Sequence, residues 1–200
     1  MKIYKYNISD DISPKELDIL FDAMSNERQS EVMRIVNEKK RKSKIISDAL
    51  CRKAVSEFCG IPSAKIKFTK NVYGKPYAEN LPVYFSVSHS ADMVVCAVSD
   101  KEIGIDTEKI KMYNPKVSKK FATEKELEYI HSHENGFFEI WTLKEAYFKC
   151  IGTGLGADIK NVSFEIANGE ICCSDNRFKC TFVDIADGYV CSVCEEKKQS

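Results

Sequence analysis

No stretch of this chain approaches the ~20 consecutive apolar residues that cross a bilayer, and Met1 to Asp10 hold no apolar core of a secretion signal. A soluble, cytoplasmic protein is therefore expected, with no membrane partner. Net charge is missing too. The chain has 30 Lys and Arg against 30 Asp and Glu, which argues against a generally basic nucleic-acid binder but leaves local patches open. Tryptophan is represented by Trp141 alone. A disulfide framework is also lacking: the nine cysteines are odd in number and irregularly spaced, which in a reducing compartment reads as small buried hydrophobes. The one CxxC, Cys191 to Cys194, lies in an alternating, strand-like run. An i, i+3 pair on a strand points to opposite faces, so the four converging ligands of a structural zinc site are not expected.

What is present is an ordinary globular composition. Two hundred residues, 44% apolar and 30% charged, make one or two small domains that bury about 70% of the unfolded surface. Ser13, Pro14 and Glu16 open a first helix with a capping signature. Ser25 or Asn26 caps a second, expected to run into Lys39–Lys42. A third carries Ile45, Ile46, Leu50, Ala54 and Phe58 at helical spacing and ends at Gly60 and Pro62. β-like runs follow at 65–69, 83–88, 93–98 and 103–108, then helix at 123–133 and 138–151, then β-like runs at 162–166, 178–184 and 189–194.

The order helices, strands, helices, strands suggests a duplication. Ala91–Asp100 matches Ala186–Glu195 at five of ten positions, 95 residues apart. Each copy also follows a long helix that ends at glycine, Gly60 or Gly152. The expectation is an α+β fold of two similar halves, 1–102 and 103–200, related by a pseudo-two-fold axis, with a ligand groove between them.

Candidate chemistry concentrates in three places. In Ile103–Glu108, read as a strand, Asp106 and Glu108 share one face with Gly104. Two such carboxylates suit one Mg²⁺, which usually takes one or two protein carboxylates plus phosphate oxygens and water; a solvated polar strand face is the plain alternative. On the helix after Phe138, Trp141, Glu145 and Lys149 follow at i, i+4 and i+8. Glu145 suits a third ligand and Lys149 an oxyanion, against the alternative of a surface i, i+4 pair. Ser86, Ser88 and His89 suit phosphate binding better than a Ser–His nucleophile, because no orienting acid is indicated. Gly74–Lys75–Pro76 is a turn that presents a lysine. Arg34 to Lys53 holds eight basic and two acidic residues, a local surplus that suits phosphates, RNA or an acidic protein, or is simply a solvated helix end. Besides a group-transfer enzyme, these residues leave open an Mg²⁺-dependent nucleotide hydrolase and a non-enzymatic binding module.

Taken together, Gly74-Lys75-Pro76, Phe85–Ser90, Ile103–Glu108, and Trp141–Lys149 with Gly152-Thr153-Gly154-Leu155 resemble the 4′-phosphopantetheinyl transferase superfamily, closest to its monomeric, surfactin-synthetase-activating class. The four motifs stand in the family's order and spacing, from about Lys40 to the C-terminus. The resemblance implies transfer of the phosphopantetheine arm of coenzyme A to a serine of an apo acyl or peptidyl carrier protein, with Mg²⁺ as cofactor and adenosine 3′,5′-bisphosphate as the other product. It implies that Asp106, Glu108 and Glu145 ligate magnesium and that Lys149 binds the pyrophosphate. It also implies that Lys75 and Pro76 contact the adenine side, that Ser88 and His89 contact the phosphates, and that Glu126 is the general base. Thr123 and Glu126 also spell a capping box, so Glu126 can serve both roles only if one of its oxygens stays free. In the N-terminal half Arg28 is kept for the 3′-phosphate, but Glu31 and Ser43 stand where basic residues are expected, with Lys42 or Lys44 as neighbouring substitutes.

Overall fold

A computed structural model describes residues 1–9, 12–156 and 159–197. The first half runs β1 (Lys2–Asn7), α1 (Pro14–Asp22), α2 (Asn26–Met33), α3 (Glu38–Cys59), a 3₁₀ turn (Ser63–Lys65), then hairpins β2 (Phe68–Lys70)/β3 (Pro76–Ala78) and β4 (Tyr84–Ser90)/β5 (Met93–Ser99). The second runs β6 (Ile103–Lys109), α4 (Pro115–Phe121), α5 (Glu124–Ser132), α6 (Gly136–Ile151), a small hairpin β7 (Phe164–Ala167)/β8 (Glu170–Cys173), then β9 (Phe178–Phe182) and β10 (Tyr189–Glu196). The antiparallel sheets have orders β1-β5-β4 and β6-β10-β9. Each half is thus an outer strand, a long helix, a minor hairpin and a strand pair whose last member takes the sheet centre. The α+β pseudo-two-fold duplication is present element for element.

Both long helices end because a glycine takes a left-handed conformation, Gly60 at φ 69° and Gly152 at φ 73°. The capping box expected at Ser13 is formed. The second helix does not reach Lys39–Lys42. It stops at Met33, and the Asn37 side chain accepts from Lys40 N at 2.9 Å, so the basic run opens α3 instead. β1 carries no aliphatic run; Lys2, Lys5 and Asn7 interrupt it, which hid it from sequence pattern.

The helix α3 covers the first sheet through Ile46, Leu50 and Ala54 against Phe85, Val94, Cys96 and Val98. On the second sheet, Ala146 and Phe148 of α6 pack with Phe178, Val190 and Cys194. The remaining faces meet each other: Met93, Val95 and Ala97 of β5 pack with Ile105, Cys191 and Val193. This corrects the register of the duplication. Val95 faces the other sheet, whereas Val190, its match at a spacing of 95, faces α6. Side chains alternate along a strand, so a match one residue out of step puts each residue on the opposite face. Ala97 paired with Ile3 and Val193 paired with Ile105 are the equivalent positions.

Candidate active site

The halves also meet along β4 and β6, and serine hydroxyls bridge them. Ser86 Oγ accepts from Ile105 N and Ser90 Oγ from Lys109 N, both at 3.1 Å. This explains the alternating serines of β4: they stitch two sheet edges together without a backbone ladder.

On β6, Gly104 turns toward α6, where a Cβ would lie 1.9 Å from the Ala146 carbonyl oxygen. Only glycine permits that approach, and it brings the next residues of the same face under α6. Asp106 is 4% exposed. Its Oδ1 accepts from Lys149 Nζ at 2.6 Å and from Ser88 Oγ at 2.6 Å, and Lys149 also donates to Ser88 Oγ at 3.0 Å. Its Oδ2 is buried and has no partner among the described residues. Glu108 accepts from Ser90 Oγ at 2.7 Å.

Trp141, Glu145 and Lys149 are half-buried, as are Glu139 and Ile151 of the same helix, and the contact of Lys149 with Asp106 and Ser88 turns this stripe toward the β4–β6 seam. Burial and the charge of Asp106 push the Glu145 carboxyl up to about 7, opposed by Lys149 and reinforced by Glu108. Trp141 packs edge-on against Phe121 with centroids 5.0 Å apart; its place is explained by α4.

These residues fit a divalent cation in one respect: a buried carboxylate oxygen facing carboxylate neighbours needs an electrophilic partner. They are not a ready-made cage. Among the described residues no three side chains are spaced to hold a metal by themselves, and Lys149 holds the other Asp106 oxygen. Mg²⁺ characteristically completes its shell with phosphate and water, so an incomplete protein shell suits a substrate-bridging ion.

A cationic region adjoins the seam. Burial lowers the Lys44 pKa, and Arg28, Lys149 and Lys70 lower it further. The His89 ring reaches solvent, yet the protein crowded around it, then Lys44 and Lys149, hold it below the usual imidazole range. Lys44 is therefore the substitute facing the site, while Lys42 donates to the Ile8 carbonyl at 2.9 Å. The rest of the basic stretch is dispersed around α3: Lys39 pairs with Asp92 at 2.7 Å and Arg52 with Asp48 at 2.7 Å. Arg28 and Lys70 both bind Glu31, at 2.6 and 2.7 Å, which partly neutralises the region and holds Glu31 below the usual carboxylate range. Ser43 is buried, and its hydroxyl has no partner among the described residues.

Two expected site residues are engaged by the fold itself. Glu126 is fully buried: Oε2 accepts from Thr123 N at 2.7 Å and pairs with Lys144 Nζ at 3.0 Å, while Oε1 accepts from Phe164 N at 3.0 Å. Both oxygens already accept within the fold, which favours a structural role for Glu126. Lys144 is equally buried and completes its donors on the Ile159 and Val162 carbonyls. Lys75 is 7% exposed; its ammonium binds Glu102 and donates to the Cys150 carbonyl at 2.7 Å. Asn71 adds a bond to the Gly152 carbonyl at 2.8 Å. Together they clamp the C-terminal end of α6, a favourable place for a cation. Pro76 remains half-buried beside them.

Paired carboxylates, a lysine and serine hydroxyls on a seam beside a cationic region are the equipment of an enzyme that handles a phosphate ester. Residues 11–101 match the N-terminal model of 4′-phosphopantetheinyl transferases and residues 102–194 the model of the 4′-phosphopantetheinyl transferase superfamily. The 4′-phosphopantetheinyl transferase gsp of Aneurinibacillus migulanus is 33% identical over 90% of this chain and 82% of its own. The 4′-phosphopantetheinyl transferase Sfp of Bacillus subtilis (strain 168) is 26% identical over 97% and 92%. The crystal structure of Thermotoga maritima holo-acyl-carrier-protein synthase aligns with TM-score 0.43 and 23% identity, covering 49% of this chain and 64% of that one. The chain belongs to the 4′-phosphopantetheinyl transferase superfamily.

Proposed function

We infer that this chain transfers the 4′-phosphopantetheine group of coenzyme A to a serine of an apo acyl or peptidyl carrier protein, releasing adenosine 3′,5′-bisphosphate. Family membership supports the reaction. The observation that carries the site is Asp106: buried at the seam of the halves, bound through one oxygen by Lys149 and Ser88 and unpartnered at the other.

Asp106, Glu108 and Glu145 would hold Mg²⁺, which when bound supplies charge stabilisation to the pyrophosphate. Lys149 binds a pyrophosphate oxygen and balances charge gathering on the leaving side. Ser88 orients Asp106 and Lys149 together. Lys44 and His89, with Arg28, face the nucleotide phosphates; Pro76 and the backbone of its turn border the adenine end. Glu145, half-buried at the cleft, replaces Glu126 as the carboxylate that takes the serine proton, directly or through water. The boundary of the halves is placed at 102/103, supported by the division of strands between the two sheets. Both halves lie in one chain, which supports a monomer, and the free cysteines support the reducing cytoplasm.

The test is mass spectrometry of several apo carrier proteins incubated with coenzyme A, Mg²⁺ and this protein. A gain of one phosphopantetheine on the carrier is expected. Cleavage of coenzyme A that proceeds equally without carrier would overturn the reading in favour of a hydrolase.

A further inference from the structure

Away from the seam, four cysteines gather in the second half. Cys180 of β9 and Cys194 of β10 are direct cross-strand partners with sulfurs 2.8 Å apart. Beyond them, Cys150 of α6 and Cys173 of β8, the strand that packs along β9, lie in or against the same apolar cluster as this pair. Cys180 and Cys194 are buried, but Cys173 is half-exposed. It lines a cleft of about 230 Å³ together with Thr123, Lys125, Ser163, Phe164 and Cys172. Buried polarizable thiols need no such contact to fill a core. A half-exposed thiol at a cleft, packed against the cluster that holds a facing pair of thiols, has the layout of a disulfide relay.

We propose that this cleft admits a small-molecule disulfide to Cys173, and that Cys180 and Cys194 then form a cross-strand disulfide. The exchange balances as follows. The Cys173 thiolate attacks the reagent disulfide, forming a mixed disulfide and expelling the first thiolate. Cys180 attacks the Cys173 sulfur, forming Cys173–Cys180 and expelling the second. Cys194 attacks the Cys180 sulfur, forming Cys180–Cys194 and returning Cys173 as a thiolate. The two electrons and two protons lost by Cys180 and Cys194 leave on the two molecules of reagent thiol.

The experiment incubates the full chain with oxidised glutathione, blocks remaining thiols and reads intact mass and tryptic fragments. Loss of two hydrogens with no retained glutathione is expected, confined to the fragment 180–197. Cys191→Ser should react as the parent does. In Cys194→Ser the product should stop as a bridge between fragments 161–177 and 180–197, and Cys173→Ser should slow the reaction at least tenfold. Glutathione held stably on Cys172 or Cys173 of the parent chain, or thiols that stay wholly unreacted, would overturn the proposal. So would a disulfide forming at the parent rate in Cys173→Ser.

Discussion

The sharpest test of the site assignment lies outside the cleft, at Glu126. Replacing it by Gln keeps the volume and an acceptor for one of the two backbone N–H groups, but removes the charge that faces Lys144. That ammonium is fully buried 3.0 Å from the carboxylate; burial lowers its pKa and Glu126 opposes the shift. Breaking one side of such a buried pair costs about 3–5 kcal/mol, because the surviving charge is left without a partner. For a chain of this length, about 2–4 °C of melting temperature goes with each kcal/mol. Glu126→Gln should therefore melt some 6–20 °C lower, roughly the product of those two ranges. Adding Lys144→Met should recover part of the loss, since the double variant buries no unpaired charge. Turnover per folded molecule, measured well below the melting point, should stay within about threefold, whereas removal of a general base costs about 10²–10⁴. An unchanged melting temperature with a hundredfold fall in turnover would refute the structural role and restore Glu126 to catalysis.

Three further outcomes are expected. Asp106→Asn should lower phosphopantetheine transfer by at least about 10²-fold while the melting temperature stays near that of the parent, because the amide oxygen still accepts from Lys149 and Ser88; normal turnover would remove Asp106 from the site. Lys75→Met keeps the buried stem but strips the bonds to Glu102 and Cys150, so it should destabilise by about 1–3 kcal/mol in urea unfolding. The KM for coenzyme A should move less than about threefold; a tenfold rise without loss of stability would mean that the ammonium binds ligand after all. His89 is held below the usual imidazole pKa of about 6.5 in the free protein, and a bound phosphate dianion raises it. Adenosine 3′,5′-bisphosphate should thus take up protons near pH 6.5, read by calorimetry in two buffers of different ionisation enthalpy, and His89→Gln should abolish the uptake.

The parts legible in sequence were those governed by local rules. The Ser13 cap, the glycine stops of α3 and α6, and the common face of Asp106 and Glu108 all follow from spacing within one element. So does the split orientation of Cys191 and Cys194, which the structure places in different clusters. What escaped depends on partners far along the chain. The capping box at Thr123 was readable, but whether the second Glu126 oxygen is free depends on Phe164. The Lys75 turn was readable, yet its ammonium goes to the end of a helix in the other half. A run of cations also looks continuous in sequence, whereas successive residues on a helix are spread around its axis; of that run, Lys44 faces His89 and Lys149 while Lys39 and Arg52 pair elsewhere.

The duplication shows what sets the seam between the halves apart. Counting back from the capping glycines, Gly152 and Gly60, places Glu145 opposite Lys53 and Lys149 opposite Glu57. The shared sheet register places Asp106 opposite Tyr4. The contact itself survives in both halves: Lys149 reaches Asp106 at 2.6 Å, and Tyr4 donates to Glu57 at 2.9 Å. The tie from the inner end of the long helix to the outer strand is thus a property of the folded unit, needed in each copy to seat the helix. Only in the second copy is that tie ionic, buried beside β4 serines and bordered by a cationic region. In the first, burial and Glu57 push the tyrosine hydroxyl up to about 12, so it stays neutral and offers nothing to a cation. The contact is present twice, but only in the second copy does its carboxylate sit on the strand, buried at the seam with the other half. The unpartnered Asp106 oxygen is the part of that contact that folding alone leaves unexplained.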